Sequence, residues 1–99
     1  DLILVLWVTV VSIRWRVNGK LHRLDGPAVE YADGDKHWYA NGGLHRLDGP
    51  AVEYPDGTKY WYENDRLHRL DGPAVESANG RGCWMINGWR VQTPKLEKI

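Results

Sequence analysis

Leu21-His22-Arg23-Leu24-Asp25-Gly26-Pro27-Ala28-Val29-Glu30 recurs without a single difference at 44–53 and again at 67–76. The offset is 23 residues, and Trp15, Trp38, Trp61 and Trp84 keep it, each with an asparagine three positions on at Asn18, Asn41, Asn64 and Asn87. Self-similarity at a fixed period of this size marks a repeat architecture, where one small unit recurs and neighbouring copies share a core. The phase assigns 15–88 to the tandem 23-residue repeats, 1–14 to an apolar N-terminal strand or cap, and 89–99 to a C-terminal cap or tail.

Each unit carries two turn signals. Asn18-Gly19, Asn41-Gly42 and Asn87-Gly88 have the chemistry of type I′ hairpin turns, whose two central residues both need positive φ. Asn64-Asp65 is a weaker version of the same pair. Asp33-Gly34, Asp56-Gly57 and Asn79-Gly80 supply the second turn. The segments between turns are rich in Trp and Tyr and lack the i, i+3, i+4 apolar spacing of a helix. The expected fold is therefore all-β: tandem β-hairpin repeats forming an elongated, twisted antiparallel meander sheet.

Two-residue loops predict registers. Asn41-Gly42 pairs Ala40 with Gly43, Tyr39 with Leu44 and Trp38 with His45. A two-residue loop at Asp33-Gly34 pairs Ala32 with Asp35, Tyr31 with Lys36 and Val29 with Trp38. Cross-strand partners share a face, so Trp38, His45, Val29 and Tyr31 are expected on one side, with Tyr39, Leu44, Ala28 and Glu30 on the other. Each unit then has one short strand around its tryptophan and one longer strand that bends at Asp-Gly-Pro, where proline has no N–H to donate. Trp, Val and the second leucine of each decapeptide (Leu24, Leu47, Leu70) are expected to stack as the main apolar row.

The 99 residues suffice for one domain. Apolar residues make up 42% and charged residues 26%, the balance of a folded chain and not a disordered one. Thirteen basic and thirteen acidic residues cancel, which removes the field that draws in nucleic acid or an anionic membrane surface. Cys83 is the only cysteine, so no internal disulfide forms. Leu2 to Val11 is apolar except for Thr9, too short for a spanning helix of about 20 residues, and has neither the basic start nor the small-residue end of a signal peptide. Its Val, Ile and Leu content reads as a buried or edge strand. Asp1 stands where a start methionine is absent, as in a processed or partial chain. Thr93-Pro94 resembles a helix start with room for one turn at most.

Trp15-Arg16-Val17-Asn18-Gly19-Lys20-Leu21-His22-Arg23-Leu24-Asp25-Gly26-Pro27-Ala28 and its copies give a unit W-x-x-N-G-x-x-H-R-x-D-G-P-A. The period, the hairpin in each unit and the aromatic at the strand centre resemble MORN-type repeats. The match is closer to a variant group found in phage and bacterial proteins. The resemblance covers 15–88 and implies an elongated β-meander that serves as a scaffold or binding surface.

His22, His45 and His68 fall in register and invite a metal reading. Equivalent residues of successive hairpins stand two strands apart, about 9–10 Å, whereas zinc needs its donors at about 2.0–2.1 Å, so no metal or other cofactor is expected. Each of these rings is expected to stack on the tryptophan opposite, making rows of Trp15, Trp38, Trp61, Trp84 with His22, His45, His68. Strand alternation separates His22 from Arg23 and Asp25, and the arginine–aspartate pair is expected to brace the Gly-Pro bend. Alternatively, Arg23, Arg46 and Arg69 form a row that grips an anion bidentately. Ser12 and Ser77 lack a Gly-x-Ser-x-Gly setting, and every glycine belongs to a turn, a bend or a junction. Catalytic sites are usually asymmetric, so identical copies of a decapeptide argue for repetition of surface and against an enzyme.

Two functions are expected from this pattern. The first is a non-enzymatic structural or protein-interaction module with a protein partner, self or other, and a homo-oligomeric state. In it Leu2, Leu4, Leu6 and Trp7 add a strand to a neighbouring subunit and can build a fibre. The second is a binder that sequesters a small anionic or nucleotide-like ligand on the arginine and aromatic rows. Neither involves nucleic acid or a membrane span.

Overall fold

The computed structural model describes residues 11–92. Leu2, Leu4, Leu6 and Trp7, and the helix start at Thr93-Pro94, lie outside the described residues. Chain order runs β1 (Ser12–Arg14), β2 (Arg16–Val17), β3 (Lys20–Leu21) and β4 (Val29–Tyr31). Next come β5 (Lys36–His37), β6 (Tyr39–Ala40), β7 (Gly43–Leu44) and β8 (Val52–Glu53). The same pattern gives β9 (Lys59–Tyr60), β10 (Tyr62–Glu63), β11 (Arg66–Leu67) and β12 (Val75–Glu76), then β13 (Gly82–Cys83), β14 (Met85–Ile86) and β15 (Trp89–Arg90). The described residues are all-β and contain no helix. One seven-stranded antiparallel sheet has the order β1-β4-β5-β8-β9-β12-β13, and four two-stranded hairpins (β2-β3, β6-β7, β10-β11, β14-β15) stand beside it.

The hairpin turns take the backbone that their residues favour. Asn18 and Gly19 have φ of 51° and 77°, Asn41 and Gly42 51° and 84°, and Asn87 and Gly88 48° and 81°. Both central residues are left-handed, as a type I′ turn requires, and Tyr39 pairs with Leu44 and Ala40 with Gly43 in the expected register. Asp65 holds φ of 65° without being glycine. Its Oδ1 accepts the Leu44 N–H of the preceding repeat at 3.1 Å, a bond that offsets the strain of a side chain in that region.

The second turn differs from expectation by one residue. The Tyr31 N–H donates to Asp35 O at 2.9 Å, and the Gly34 N–H donates to Tyr31 O at 3.0 Å, closing a three-residue loop over 32–34. Only Gly34 of this loop has positive φ, at 99°. Asp33 instead turns its Oδ1 onto the Asp35 N–H at 3.0 Å, a local bond that favours a type I turn followed by a glycine bulge. Asp56 repeats this bond with Thr58 at 2.8 Å and Asn79 with Arg81 at 3.1 Å. Val29 consequently pairs with His37 and Glu30 with Lys36, so Tyr31 does not face Lys36 and Val29 does not face Trp38. A slip of one moves a whole strand's side chains to the opposite face.

The corrected register sorts the sheet cleanly. Arg14, Val29, His37, Val52, Tyr60, Val75 and Cys83 are successive cross-strand partners on one face. Glu30, Lys36, Glu53, Lys59 and Glu76 follow one another on the other, a ladder of alternating charge. Tryptophan interrupts the strand that was expected to be centred on it. Trp38 donates its N–H to Ala51 O at 2.7 Å while its carbonyl accepts the His45 N–H at 3.0 Å, so it stands where the chain leaves the large sheet and enters the hairpin. The long strand expected from leucine to tyrosine is likewise two short ones, β7 and β8, separated by the Asp-Gly-Pro bend.

Ala28, Ala51 and Ala74 are fully buried, and Val29 and Val52 are 2% and 4% exposed. Among the described residues the fully buried apolar side chains thus amount to one or two small ones per repeat. Leu24, Leu47 and Leu70 are not part of it: they are 86%, 75% and 72% exposed. The expected Trp–Val–Leu row fails because the leucines lie in the unpaired bend, where alternation no longer dictates direction.

His37 occupies the aromatic face with its ring centroid 5.2 Å from Tyr31 and 6.3 Å from Tyr54, both edge-on, and 6.4 Å from Tyr39, stacked. Its Nε2 is buried without a hydrogen-bond partner. Burial holds its pKa below the ordinary histidine value, against the weaker pull of Asp35 and Asp33. The unfolded chain therefore takes up this proton more readily, and stability is lost as pH falls through about 6.5. Thermal melts between pH 7.5 and 5 are expected to show a falling midpoint. His37→Tyr, which installs the residue that Tyr60 contributes one repeat later, is expected to flatten part of that fall.

Candidate functional site

Three arginines organise the bends. The Arg23 Cζ lies 4.5 Å from the Trp15 ring centroid, Arg46 4.0 Å from Trp38, and Arg69 3.9 Å from Trp61. In each case the guanidinium covers the indole of its own unit, where the ring quadrupole attracts it. The expected histidine–tryptophan stack is replaced by this cation–π pair. Gln92 stands eight residues after Trp84, where the other units have arginine, so the fourth unit lacks the brace.

The guanidinium's donors are spent on the bend that it spans. Arg46 donates from Nε to Asp48 Oδ1 at 3.2 Å and from Nη1 to the Pro50 carbonyl at 3.0 Å and Glu53 Oε1 at 3.3 Å. Arg69 repeats the set with Asp71, Pro73 and Glu76 at 3.0, 3.0 and 2.9 Å. Arg23 bonds Asp25 at 3.0 Å and the Pro27 carbonyl at 3.2 Å. The hydrogen bond from Arg23, with its charge behind it, holds the Asp25 carboxyl below the ordinary carboxylate range. The glycine before each proline allows the close fit: a Cβ on Gly49 would lie 2.8 Å from the Arg46 Cζ, and one on Gly72 2.6 Å from that of Arg69. Each arginine thus lies against an indole and a glycine, bonded to the bend it spans.

The histidines do something the sequence reading missed. The Asn41 N–H donates to His22 Nδ1, Asn64 to His45 Nδ1 and Asn87 to His68 Nδ1, each at 3.0 Å. Each ring accepts from the hairpin tip of the following unit, a role open only to an unprotonated Nδ1. Beside it, Gly42, Asp65 and Gly88 donate to Leu21 O, Leu44 O and Leu67 O at 2.9, 2.8 and 2.8 Å. Arg23, Arg46 and Arg69 return N–H bonds to Tyr39 O, Tyr62 O and Met85 O at 3.2, 3.1 and 3.1 Å. The fixed 19-residue separation of histidine and asparagine was the available signal. Among the described residues no three His, Cys, Asp or Glu side chains converge as a metal site would require.

Grooves open between successive bends. Leu24 and Leu47 flank one of about 220 Å³ with Trp38 and His45 in its wall. Leu47 and Leu70 flank the next, about 540 Å³, with Trp61 and His68 in the corresponding places. The exposed leucines Leu24, Leu47 and Leu70 thus recur once per unit beside these grooves. The arginine side chains beneath are 21–24% exposed, whereas Asp25, Asp48 and Asp71 at the lips are 87–89% exposed.

Gly49→Ala is expected to displace the Arg46 guanidinium and lower the unfolding free energy by about 1–3 kcal/mol, read by urea denaturation with tryptophan fluorescence. Arg46→Lys keeps the charge but loses the planar fork, and is expected to cost about 1–2 kcal/mol in the same assay.

No family model matches the chain, and neither a curated protein nor a solved structure matches it.

Proposed function

We propose that this chain is a non-enzymatic structural and protein-interaction repeat module, similar in kind to MORN-like repeats, that assembles with copies of itself by strand addition. The repeats form an elongated, twisted antiparallel meander in this reading, since strands carry an intrinsic right-handed twist. The observation that carries it is the pair of sheet ends. Among the described residues β1 pairs only with β4, and β13 only with β12. Every step between neighbours in the seven-stranded sheet is antiparallel, so β1 and β13 run in the same direction. Abutting two chains end to end would set these strands parallel. One strand of opposite direction between them restores the alternation.

The apolar N-terminal segment has the composition for that strand. Val5-Leu6-Trp7-Val8 stands 23 residues before Ala28-Val29-Glu30-Tyr31, the position of the inner strand β4. Supplied between the β13 edge of one chain and the β1 edge of the next, it turns a finite sheet into a head-to-tail series. Leu2, Leu4, Leu6 and Trp7 are the residues assigned to this contact. The non-enzymatic reading rests on how the polar side chains are used: the arginines, their aspartates and the histidines are committed to holding bends and linking units. For the same reason the arginine rows favour a structural role over the capture of an anion.

Negative-stain images and sedimentation of the full chain are expected to show linear assemblies that lengthen with concentration. Leu4→Lys with Leu6→Lys is expected to return them to a single small species with unchanged far-ultraviolet circular dichroism. A native chain that stays monomeric at several milligrams per millilitre would overturn the assembly.

A further inference from the structure

The exposed leucine row is independent of the sheet ends. Leu24, Leu47 and Leu70 spend most of their surface in water although each unit has an interior available. Each repeat contributes two strands to the seven-stranded sheet, so equivalent points advance by about 9.4–9.8 Å per repeat. A polyproline II helix has three residues per turn and a rise of about 3.1 Å, hence a turn of about 9.3 Å. An extended β-strand returns a side chain to the same face every 6.6 Å or so, and an α-helix makes one turn in about 5.4 Å. Of these three, the polyproline II spacing matches the advance of the repeat along the sheet.

We infer that the leucine–tryptophan grooves dock a polyproline II peptide carrying an apolar residue at every third position and basic residues between. Its apolar side chains enter the two grooves flanked by Leu24, Leu47 and Leu70, against Trp38 and Trp61. Aromatic-lined grooves suit this conformation because the peptide is already extended and loses little freedom on binding. Charge sets the partner's sign. Asp25, Asp48 and Asp71 are each ion-paired to the arginine beneath at 3.0–3.2 Å, but the carboxylate is the exposed end of the pair at the lip and the guanidinium the half-buried one. Glu63 adds a carboxylate to the larger groove. Lysine or arginine on the peptide therefore meets an outward acidic edge.

Isothermal titration of the full chain with a peptide of four Leu-Pro-Lys units tests this. Saturable binding is expected, and Leu47→Ser, which alters a side chain shared by both grooves, is expected to weaken it about ten-fold. Because Leu47 is 75% exposed, its replacement leaves the fold intact, which circular dichroism verifies. A peptide of the same composition with its leucines adjacent is expected to bind at least about ten-fold less well, as is one with glutamate in place of lysine. Equal binding of the permuted peptide overturns the spacing argument and equal binding of the acidic one overturns the charge argument. Absence of binding at millimolar peptide, or indifference to Leu47→Ser, overturns the site. None of these readouts depends on chain assembly, which the Leu4→Lys, Leu6→Lys variant tests separately.

Discussion

A guanidinium packed against an indole and a glycine is the contact that braces the first three units of this protein. Arg46 lies over Trp38, presses against Gly49 and bonds Asp48, the Pro50 carbonyl and Glu53. That single side chain connects the crossing between sheet and hairpin, the bend, and the end of β8. A bend without secondary structure would otherwise expose backbone groups and wander. Here the charge-assisted bonds fix its path, and the indole shields them from water on one side. Lysine lacks the planar fork needed to make three differently directed bonds while stacking flat.

Among the described residues few apolar side chains are fully buried. Those few are Ala28, Val29, Ala51, Val52 and Ala74. Neighbouring units are linked by the sheet ladder, the hairpin-tip bonds to His22, His45 and His68, and the rings packed about His37. Links of this kind add stability in increments between neighbours. The alternating Glu30, Lys36, Glu53, Lys59 and Glu76 ladder adds to those increments and lets the sheet's other face remain wetted.

The hairpins and the all-β class were legible in the sequence because Asn-Gly has one strongly favoured backbone answer. Asp-Gly has two. A lone left-handed glycine serves a two-residue loop or the bulge of a three-residue loop, and the Asp33 carboxylate decides for the second through a bond that a pattern of letters does not display. That one-residue difference moved Val29 from Trp38 to His37 and changed the faces of the sheet. Leucine's place was misread for a related reason: alternation was carried through a bend where no ladder enforces it. The arginine–aspartate brace was readable from spacing, whereas its stacking on tryptophan and its bonds to the proline carbonyl and the glutamate needed three dimensions. Histidine's tie to the next unit was hidden because its partner is a backbone N–H, which every residue but proline carries.

The histidine–asparagine link reaches only from one unit to the next, always across the same 19 residues. Nothing in it measures the length of the whole chain. A gene encoding such units can lose or gain one by unequal exchange between its identical decapeptide stretches, and each surviving junction would meet the partner it already had. The span of the protein is therefore a quantity that heredity can adjust in whole steps while this link is kept.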